Sequence, residues 1–228
     1  MDELGVAHVV HVATVDVKYA VGGGGDWSIE RFAHGVNGRA LGVATGPDGV
    51  VHVLYYESYV LERRGLMDLH YARRDRGEWT EERLGVLRNG DGEDAALAVD
   101  VEGVAQAVWL DGDEDLVRAR RGPAGWIFEA VPLRAPGSVG FAIDGAGAAH
   151  LVTRSADDPS RVSYATDVTG AWVVEDVAVP FVREVAYPQA VAIDSDGGVH
   201  VAGNGGAYRS ATWHAWRTPG VEAGGCAP

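Results

Sequence analysis

Residues 140–150 read Gly-Phe-Ala-Ile-Asp-Gly-Ala-Gly-Ala-Ala-His. Segment 140–144 is small and apolar, as expected of a β-strand that is buried on both faces. Asp144 and Gly147 predict a tight turn, because Asp accepts backbone N–H bonds and Gly readily adopts a positive φ. His150 opens the segment after the turn. The stretch therefore predicts a strand, a turn and a second strand.

This Gly-x-x-His/Gln element recurs along the whole chain. An Asp stands three residues before the Gly in four copies, whereas the second copy has Gly46 there and Asp48 beside the turn glycine. The five copies are Gly5-Val6-Ala7-His8, Gly49-Val50-Val51-His52, Gly103-Val104-Ala105-Gln106, Gly147-Ala148-Ala149-His150 and Gly197-Gly198-Val199-His200. Self-similarity at a spacing of about 45 residues indicates a repeat architecture.

A second element follows each copy of the first. It is a Tyr, usually followed by Ala, with a Trp eight residues later and a Glu three residues after the Trp. The Tyr and Trp pairs are Tyr19 with Trp27, Tyr71 with Trp79, Tyr164 with Trp172 and Tyr208 with Trp216, and Arg118 replaces the Tyr before Trp126. The glutamates are Glu30, Glu82, Glu129 and Glu175, and the last copy has Pro219 at that place.

Each unit predicts four short antiparallel strands, A to D. Strand A is expected at 40–45, 96–100, 140–144 and 190–194; strand B follows the turn, strand C carries the Tyr and strand D begins at the Trp. Four-stranded units repeated in series are typical of a β-propeller, in which neighbouring blades bury each other's faces. The sequence predicts an all-β, five-bladed propeller in one domain over 1–228. Its units are expected at 1–34, 35–86, 87–133, 134–180 and 181–220, with a tail at 221–228. A solenoid of stacked sheets is the alternative.

Ring closure is irregular in this scheme. Strands B, C and D occur five times but strand A only four times, so the first blade lacks its innermost strand. Segment 221–226 is one candidate for a surrogate strand. The other interpretations are a three-stranded first blade, a fragment of a larger ring, or closure by another chain.

The composition restricts the partners. The chain has 228 residues, 19 Lys and Arg, 33 Asp and Glu, and a formal net charge of -14. This balance argues against nucleic acid, which rewards a basic surface. No apolar run reaches the about 20 residues of a membrane helix, and no signal peptide precedes the repeats, so a cytoplasmic protein is expected. The single Cys226 excludes an internal disulfide.

The Asp-x-x-Gly turn and the Tyr-Ala-x6-Trp unit resemble the repeats of bacterial sialidase-like and lectin-type β-propellers. The resemblance extends over roughly residues 2–219 and is specific for the fold. It implies a lectin-like fold with binding sites between or above blades. The Asp-box of these proteins is matched only loosely, as at Gly25-Asp26-Trp27. The arginine cluster and the nucleophilic Tyr–Glu pair that a sialidase needs are not carried over to this sequence.

Candidate ligand-binding residues lie in the B–C loops and the D–A connections, which vary most between units. Aromatic rings beside charged groups suit stacking on a sugar or binding of an anion. The candidates are His34, Asn37, Arg39, Tyr56, Glu57, Tyr59, Arg63, Trp109, Asp111, Arg154, Arg183, Glu184, Tyr187 and Asn204. Solvated loops and surface ion pairs are the alternative interpretation of the same residues.

Metal sites are weakly indicated. Asp111, Asp113 and Asp115 offer carboxylates at alternate positions, as Ca²⁺ prefers, but the EF-hand pattern is missing and a solvated acidic turn is the alternative. The repeated histidines are predicted to be structural, because they recur at the blade spacing and Gln106 replaces one of them. No other cofactor is expected.

The sequence leaves three classes of function open. A carbohydrate-binding protein, with a loop-face site around the central funnel, is favoured by the resemblance. An enzyme with a single axial polar site, such as a hydrolase, lyase or cyclase, would use Arg183, Glu184, Tyr187, Arg39, His34, Tyr56 and Glu57. A protein-interaction scaffold would expose an apolar patch or an open blade edge. The expected partner is a carbohydrate or another small polar ligand, and a homo-oligomer is compatible with the sequence.

Overall fold

The computed structural model describes residues 5–34, 38–58, 66–88, 95–111, 115–135, 137–178, 186–205 and 211–217. All regular elements in these ranges are β-strands. The strands are β1 (Ala7–Ala13), β2 (Asp16–Gly23), β3 (Asp26–His34), β4 (Gly38–Thr45), β5 (Val51–Ser58), β6 (Leu66–Asp75), β7 (Glu78–Arg88), β8 (Ala95–Val99), β9 (Ala105–Leu110), β10 (Asp115–Gly122), β11 (Gly125–Arg134), β12 (Val139–Ile143), β13 (Ala149–Arg154), β14 (Arg161–Thr166), β15 (Val173–Ala178), β16 (Ala186–Ile193), β17 (Val199–Gly205) and β18 (Ala211–Arg217).

The strands form five antiparallel sheets in sequence order. Sheet 1 is β1–β3, sheet 2 is β4–β7, sheet 3 is β8–β11, sheet 4 is β12–β15 and sheet 5 is β16–β18. Sheets 2, 3 and 4 have four strands, and sheets 1 and 5 have three within the described residues. Each strand pairs with the next one along the chain, so the sheets are simple meanders. The predicted A strands overlap β4, β8, β12 and β16, which confirms the all-β class and the four-stranded unit.

The core is divided among the four interfaces between consecutive sheets. Each of four clusters of buried residues combines side chains from two neighbouring sheets. Between sheets 1 and 2, for example, Val17 and Tyr19 pack with Val53 and Tyr55. No sheet encloses a core by itself. Burial therefore depends on the stacking of sheets, as the repeat predicted.

The first strands of the sheets pack against one another in series. β1 contacts β4, β4 contacts β8, β8 contacts β12, and β12 contacts β16. Within the described ranges, no comparable packing joins β16 back to β1. The predicted closure and the count of five blades therefore remain predictions, and segment 221–226 lies outside the described residues.

The meander gives the array two rims. The turns between strands A and B and between strands C and D lie on one edge, which we call the turn rim. The B–C loops and D–A connections lie on the opposite edge, the loop rim. At the turn rim, Gly49, Gly103, Gly147 and Gly197 all have φ between 75° and 85°. This conformation explains why the repeat has Gly there.

Candidate functional site

The repeated Asp organises each turn at the turn rim. The Oδ1 atoms of Asp100, Asp144 and Asp194 accept backbone N–H bonds from the residues two and four positions later, at 2.7–3.0 Å. In sheet 2, Asp48 instead accepts the N–H of Val50 at 3.1 Å. A Cβ at Gly46 would lie 2.7 Å from Asp48 Oδ1. Asp48 therefore substitutes for the aspartate that Gly46 replaces.

The repeated histidines bind the repeated tyrosines of their own sheets. His8, His52 and His150 each place Nδ1 2.6 Å from the hydroxyl of Tyr19, Tyr71 and Tyr164, respectively. In sheet 3, the Gln106 carbonyl oxygen accepts bonds from the Arg118 guanidinium at 2.6 and 2.9 Å. These contacts join strands B and C. The histidine partners are therefore within the sheet, and the part of the chain that the structure describes contains no group of residues suited to hold a metal ion.

Burial controls the protonation of these pairs. Desolvation lowers the pKa of His52 to about 4 and raises the pKa of Tyr71 to about 12. Desolvation also lowers the pKa of His150. Both partners of the His52–Tyr71 pair are therefore neutral at neutral pH, which suits a structural hydrogen bond rather than acid–base work.

The Trp, Glu and Tyr of the repeat meet at the interfaces between sheets. At interface 1/2, Trp79 Nε1 donates to Glu30 at 3.1 Å, and the indole lies edge-on to Tyr19 with ring centres 5.5 Å apart. At interface 2/3, Trp126 Nε1 donates to Glu82 at 2.9 Å, and the indole lies edge-on to Tyr71 at 4.8 Å. Each Trp thus fills a site that the preceding sheet provides.

An arginine completes both of these interfaces. Arg74 of sheet 2 pairs with Glu30 at 2.5 Å, and Arg121 of sheet 3 pairs with Glu82 at 2.5 Å. Their guanidinium groups lie 5.6 Å from the centres of the Tyr19 and Tyr71 rings. The sequence interpretation had missed the arginine. Glu30 and Glu82 therefore bridge sheets, rather than only charging outer strands.

Interface 3/4 has the opposite arrangement of charge. Arg118 stands at the tyrosine position of sheet 3, and Asp167 stands at the arginine position of sheet 4. Arg118 pairs with Asp167 and, at 3.0 Å, with Glu129, while its guanidinium lies 5.4 Å from the Trp172 ring centre. The arginine at this interface therefore belongs to the earlier of the two sheets, and its acidic partner Asp167 belongs to the later one.

The fifth repeat was assigned in the wrong register. His52, Gln106 and His150 pair across the sheet with residues two positions after the Tyr or Arg, and His200 pairs with Trp216. His214 therefore occupies the tyrosine position, and its ring stacks on His200 at 5.4 Å. Trp216 lies within β18 and does not begin a strand D. The Tyr208–Trp216 spacing is a coincidence, because His214-Ala215 replaces Tyr-Ala.

The predicted ligand residues that the structure describes share the loop rim. Arg39 and Tyr56 are cross-strand partners in sheet 2, and Glu57 follows Tyr56. Glu57 lies 3.8 Å from Nε2 of His70, whose pKa is lowered by burial. Arg154 ends β13, and Asn204 pairs with Tyr187 across sheet 5. These candidates thus lie at the same end of their sheets, and their part in ligand binding stays a prediction.

Several predicted residues cannot be placed. Asn37, Tyr59, Arg63, Asp113, Arg183 and Glu184 lie outside the described residues, and the side chains of His34 and Tyr187 are likewise not described. The axial cluster proposed for an enzyme depends largely on these positions. Asp111 and Asp115 close their loop through an N–H···O bond of 2.8 Å between backbones. The Ca²⁺ site stays a prediction.

Trp109 and Asp111 adjoin a pocket between sheets 2 and 3. We call it the aromatic–carboxylate pocket; it measures about 370 Å³ and is lined by Leu84, Gly85, Val86, Trp109, Asp111, Val117, Phe128, Glu129 and Ala130. Phe128 is 51% exposed and lies edge-on to Trp109, with ring centres 6.1 Å apart. Asp111 is exposed and lies at the loop rim.

Trp109 is mainly a core residue. It is 3% exposed and packs with Leu54, Tyr56 and Leu69 of sheet 2. This burial leaves no open stacking face on the Trp109 indole. Its Nε1 atom is buried without a hydrogen-bond partner. An unpaired buried donor costs about 1–3 kcal/mol.

Gly85 allows the indole of Trp109 to pack directly on β7. A Cβ at Gly85 would lie 3.1 Å from Trp109 Cζ2 and 3.4 Å from Nε1. Strand β7 also shifts register against β6 beside Gly85. Sequence reasoning missed Gly85 and Phe128, since neither belongs to the repeat. An exposed Phe in strand D was the only available signal.

Neither protein-family models nor curated protein sequences match this chain. Solved structures do match in fold. A lectin from Aleuria aurantia, in complex with Fucα1-6GlcNAc, has a TM-score of 0.65 at 13% identity, covering 96% of this chain and 75% of the lectin. Another structure of that lectin is described as a six-bladed β-propeller with a novel fucose recognition mode.

Sialidases are also structural neighbours. The NanB sialidase from Streptococcus pneumoniae matches with a TM-score of 0.56 at 13% identity, covering 86% of this chain and 33% of the sialidase. A Dyadobacter fermentans protein of unknown function matches at 0.61 and 12% identity, covering 91% of this chain and 70% of that one. The predicted resemblance to sialidase-like and lectin-type propellers is confirmed at the level of the fold.

The described ranges contain no helix that is long and apolar enough to cross a membrane.

Proposed function

We propose that this protein binds carbohydrate in the aromatic–carboxylate pocket between sheets 2 and 3. The observation that carries the proposal is the convergence of two groups at one pocket: the exposed Phe128 ring and the Asp111 carboxylate. The volume of about 370 Å³ falls within the range of small-ligand pockets.

Each of these groups matches one feature of a sugar. The apolar C–H face of a pyranose can pack on Phe128, while neighbouring hydroxyls donate to Asp111. Apolar packing and hydrogen bonding to the protein would then be satisfied together.

The lining favours neutral sugars. Asp111 and Glu129 border the pocket, and none of the described residues that line it is basic. The net charge of -14 adds a repulsive field for anions. A sialic acid or uronic acid would bring a second carboxylate to this pocket. The lectin neighbours, whose complexes contain fucosides, support a neutral ligand by analogy of fold.

Two neighbouring residues of β11 provide a matched test. Phe128 and Ile127 are both exposed, at 51% and 62%, but successive side chains of a strand point to opposite faces. After a glycan array identifies a ligand, Phe128→Ser is expected to weaken its binding about tenfold in isothermal titration calorimetry, because the stacking surface is lost. Ile127→Ser should bind as wild type does.

Equal affinity of the two variants would reject the pocket as the site. If the wild-type protein, shown by circular dichroism to be folded, bound no glycan on the array or at millimolar monosaccharide concentration, the carbohydrate proposal itself would be wrong. Preference for sialylated over neutral glycans would contradict the proposed selectivity.

We propose further that the five sheets are the blades of a single propeller domain. The packing of β1, β4, β8, β12 and β16 in series supports this arrangement. A second ligand contact at the loop rim, through Arg39 and Tyr56, remains part of the proposal because these residues are adjacent there. We propose, in addition, that binding needs no cofactor and takes place in the cytoplasm.

A further inference from the structure

The sheet 2 wall of the aromatic–carboxylate pocket contains a β-bulge. His70 of β6 pairs with Arg83 of β7. The preceding Leu69 pairs with Gly85, so Leu84 is an additional residue of β7. Leu84 and Gly85 both line the pocket. The shape of this wall therefore depends on the contacts that hold the bulge in place.

His70 lies on the other face of sheet 2, the face that packs on sheet 1. Its cross-strand partner Tyr55 belongs to the buried cluster between sheets 1 and 2. The two rings stack with their centres 5.2 Å apart and an angle of 15° between their planes. Leu69 and Leu84, by contrast, belong to the cluster between sheets 2 and 3. His70 and the pocket thus lie on opposite faces of one sheet, at the same bulge.

An ion pair next to His70 joins the two strands at the bulge. Arg83 Nη2 donates to Asp68 Oδ1 at 2.8 Å, which ties β7 to β6. Arg83 is the cross-strand partner of His70, and Asp68 precedes His70 by two residues on the same strand. A positive charge on His70 would repel Arg83 and attract Asp68. The charge of the imidazole therefore acts on the contact that fixes the bulge.

His70 is neutral at neutral pH and can gain a proton on acidification. Burial lowers the pKa of His70 below its usual 6.5, and the neighbouring carboxylates oppose this effect. Its Nε2 atom is buried without a hydrogen-bond partner among the described residues and lies 3.8 Å from Glu57 Oε2. The described titratable and charged groups that face His70 are Tyr55 and Glu57 of β5, Asp68 of β6, and Glu81 and Arg83 of β7. The Tyr55 hydroxyl donates to Glu81 at 2.7 Å.

We propose that His70 makes ligand binding in the aromatic–carboxylate pocket sensitive to pH, by acting through the bulge of β7. This inference rests on the proposed carbohydrate site and adds its regulation. Neutral His70 leaves the pair of Arg83 and Asp68 intact, and the bulge holds the pocket wall in position. Protonated His70 weakens that pair, so the wall loses its support and the ligand binds less tightly. By linkage, bound ligand favours neutral His70.

The first test needs no ligand. The ring resonances of His70 and the backbone amide of Gly85 are followed by NMR on the full chain from about pH 7.5 to about pH 5. The Gly85 signal should shift with the same midpoint as His70, whereas the amide of Gly122, in the distant turn of sheet 3, should not follow it. In His70→Gln the shift of Gly85 should disappear. A Gly85 shift that persists in this variant, or that has a different midpoint from His70, would overturn the proposal.

A second variant keeps this test decisive if His70→Gln does not fold. Glu57→Gln removes the carboxylate that faces Nε2, so it should lower the midpoints of His70 and Gly85 together. Glu78→Gln is its control, because Glu78 is exposed at the other end of β7. This control should leave both midpoints unchanged. If the midpoint of His70 moved in Glu57→Gln while that of Gly85 did not, the two sites would not be coupled.

The ligand test uses the glycan identified on the array. Between about pH 7.5 and about pH 5, the wild-type affinity in isothermal titration calorimetry should fall about fivefold more than that of His70→Gln. His11→Gln, altered at an exposed histidine, should retain the wild-type dependence on pH. A glycan that binds with the same pH dependence in wild type and His70→Gln would contradict the regulation and leave the carbohydrate site standing. If no glycan binds, the carbohydrate proposal fails, and the Gly85 titration still decides whether His70 acts on the bulge.

Discussion

At the scale of single residues, the buried His–Tyr pairs show which kind of side chain the repeated histidine position accepts. Gln106 already indicated from the sequence that the position needs a hydrogen-bonding group rather than a metal ligand. The partner could not be predicted, because it depends on the register of strands B and C. The same limit explains Trp109. Its aromatic character was evident, but its burial of all but 3% arises from packing on sheet 2.

The buried His52 gives a pH prediction with a definite sign. Its pKa is about 4 in the folded protein and near 6.5 in the unfolded chain, so the unfolded state binds the additional proton as the pH falls between these values. The free energy of unfolding should therefore decrease on acidification from pH 6.5 to 4. His52→Gln, which imitates sheet 3, should lessen this decrease by about 3 kcal/mol.

Urea denaturation at several pH values measures the effect. His11→Gln is the control, since His11 is exposed on β1. This variant should retain the wild-type dependence on pH. If the free energies of unfolding of His52→Gln and wild type changed equally with pH, His52 would not be a buried neutral group.

At the scale of elements, each interface between sheets repeats one set of contacts with local exchanges. The Tyr–Trp–Glu pattern was visible in the sequence, and it correctly located strands C and D in the first four units. The arginine was not recognised, because Gly22 and Asp167 occupy its place in sheets 1 and 4. The register error at Trp216 arose because spacing alone cannot distinguish Tyr208 from His214 as the partner of His200.

The exchange at interface 3/4 predicts non-additive substitutions. Arg118→Tyr should destabilise the protein by about 2 kcal/mol, because it leaves Asp167 without its cation. The triple variant Gln106→His, Arg118→Tyr and Asp167→Arg restores the arrangement of interface 2/3. Its free energy of unfolding should exceed, by at least about 1 kcal/mol, the value expected when the effects of the three single substitutions are added. Thermal and urea unfolding measure the stabilities of the wild type and the variants. If the effects of the three single substitutions simply add in the triple variant, the exchange of charges between sheets 3 and 4 is contradicted.

At the scale of the whole molecule, the sheets are joined by shared burial. All four clusters of the core lie between sheets, so each sheet needs a neighbour to exclude water. This organisation was predictable from the repeat, because a unit of four short strands cannot enclose a core. The proposed carbohydrate site follows from the same organisation, since it lies where sheets 2 and 3 meet without filling the space between them.

A double-mutant cycle across interface 2/3 tests this dependence most directly. Trp126 Nε1 donates to Glu82, and the two residues belong to different sheets. The free energies of unfolding of wild type, Trp126→Phe, Glu82→Gln and the double variant give their coupling. The joined-sheet structure predicts a coupling of about 1 kcal/mol. Additive effects, with no coupling beyond experimental error, would contradict it.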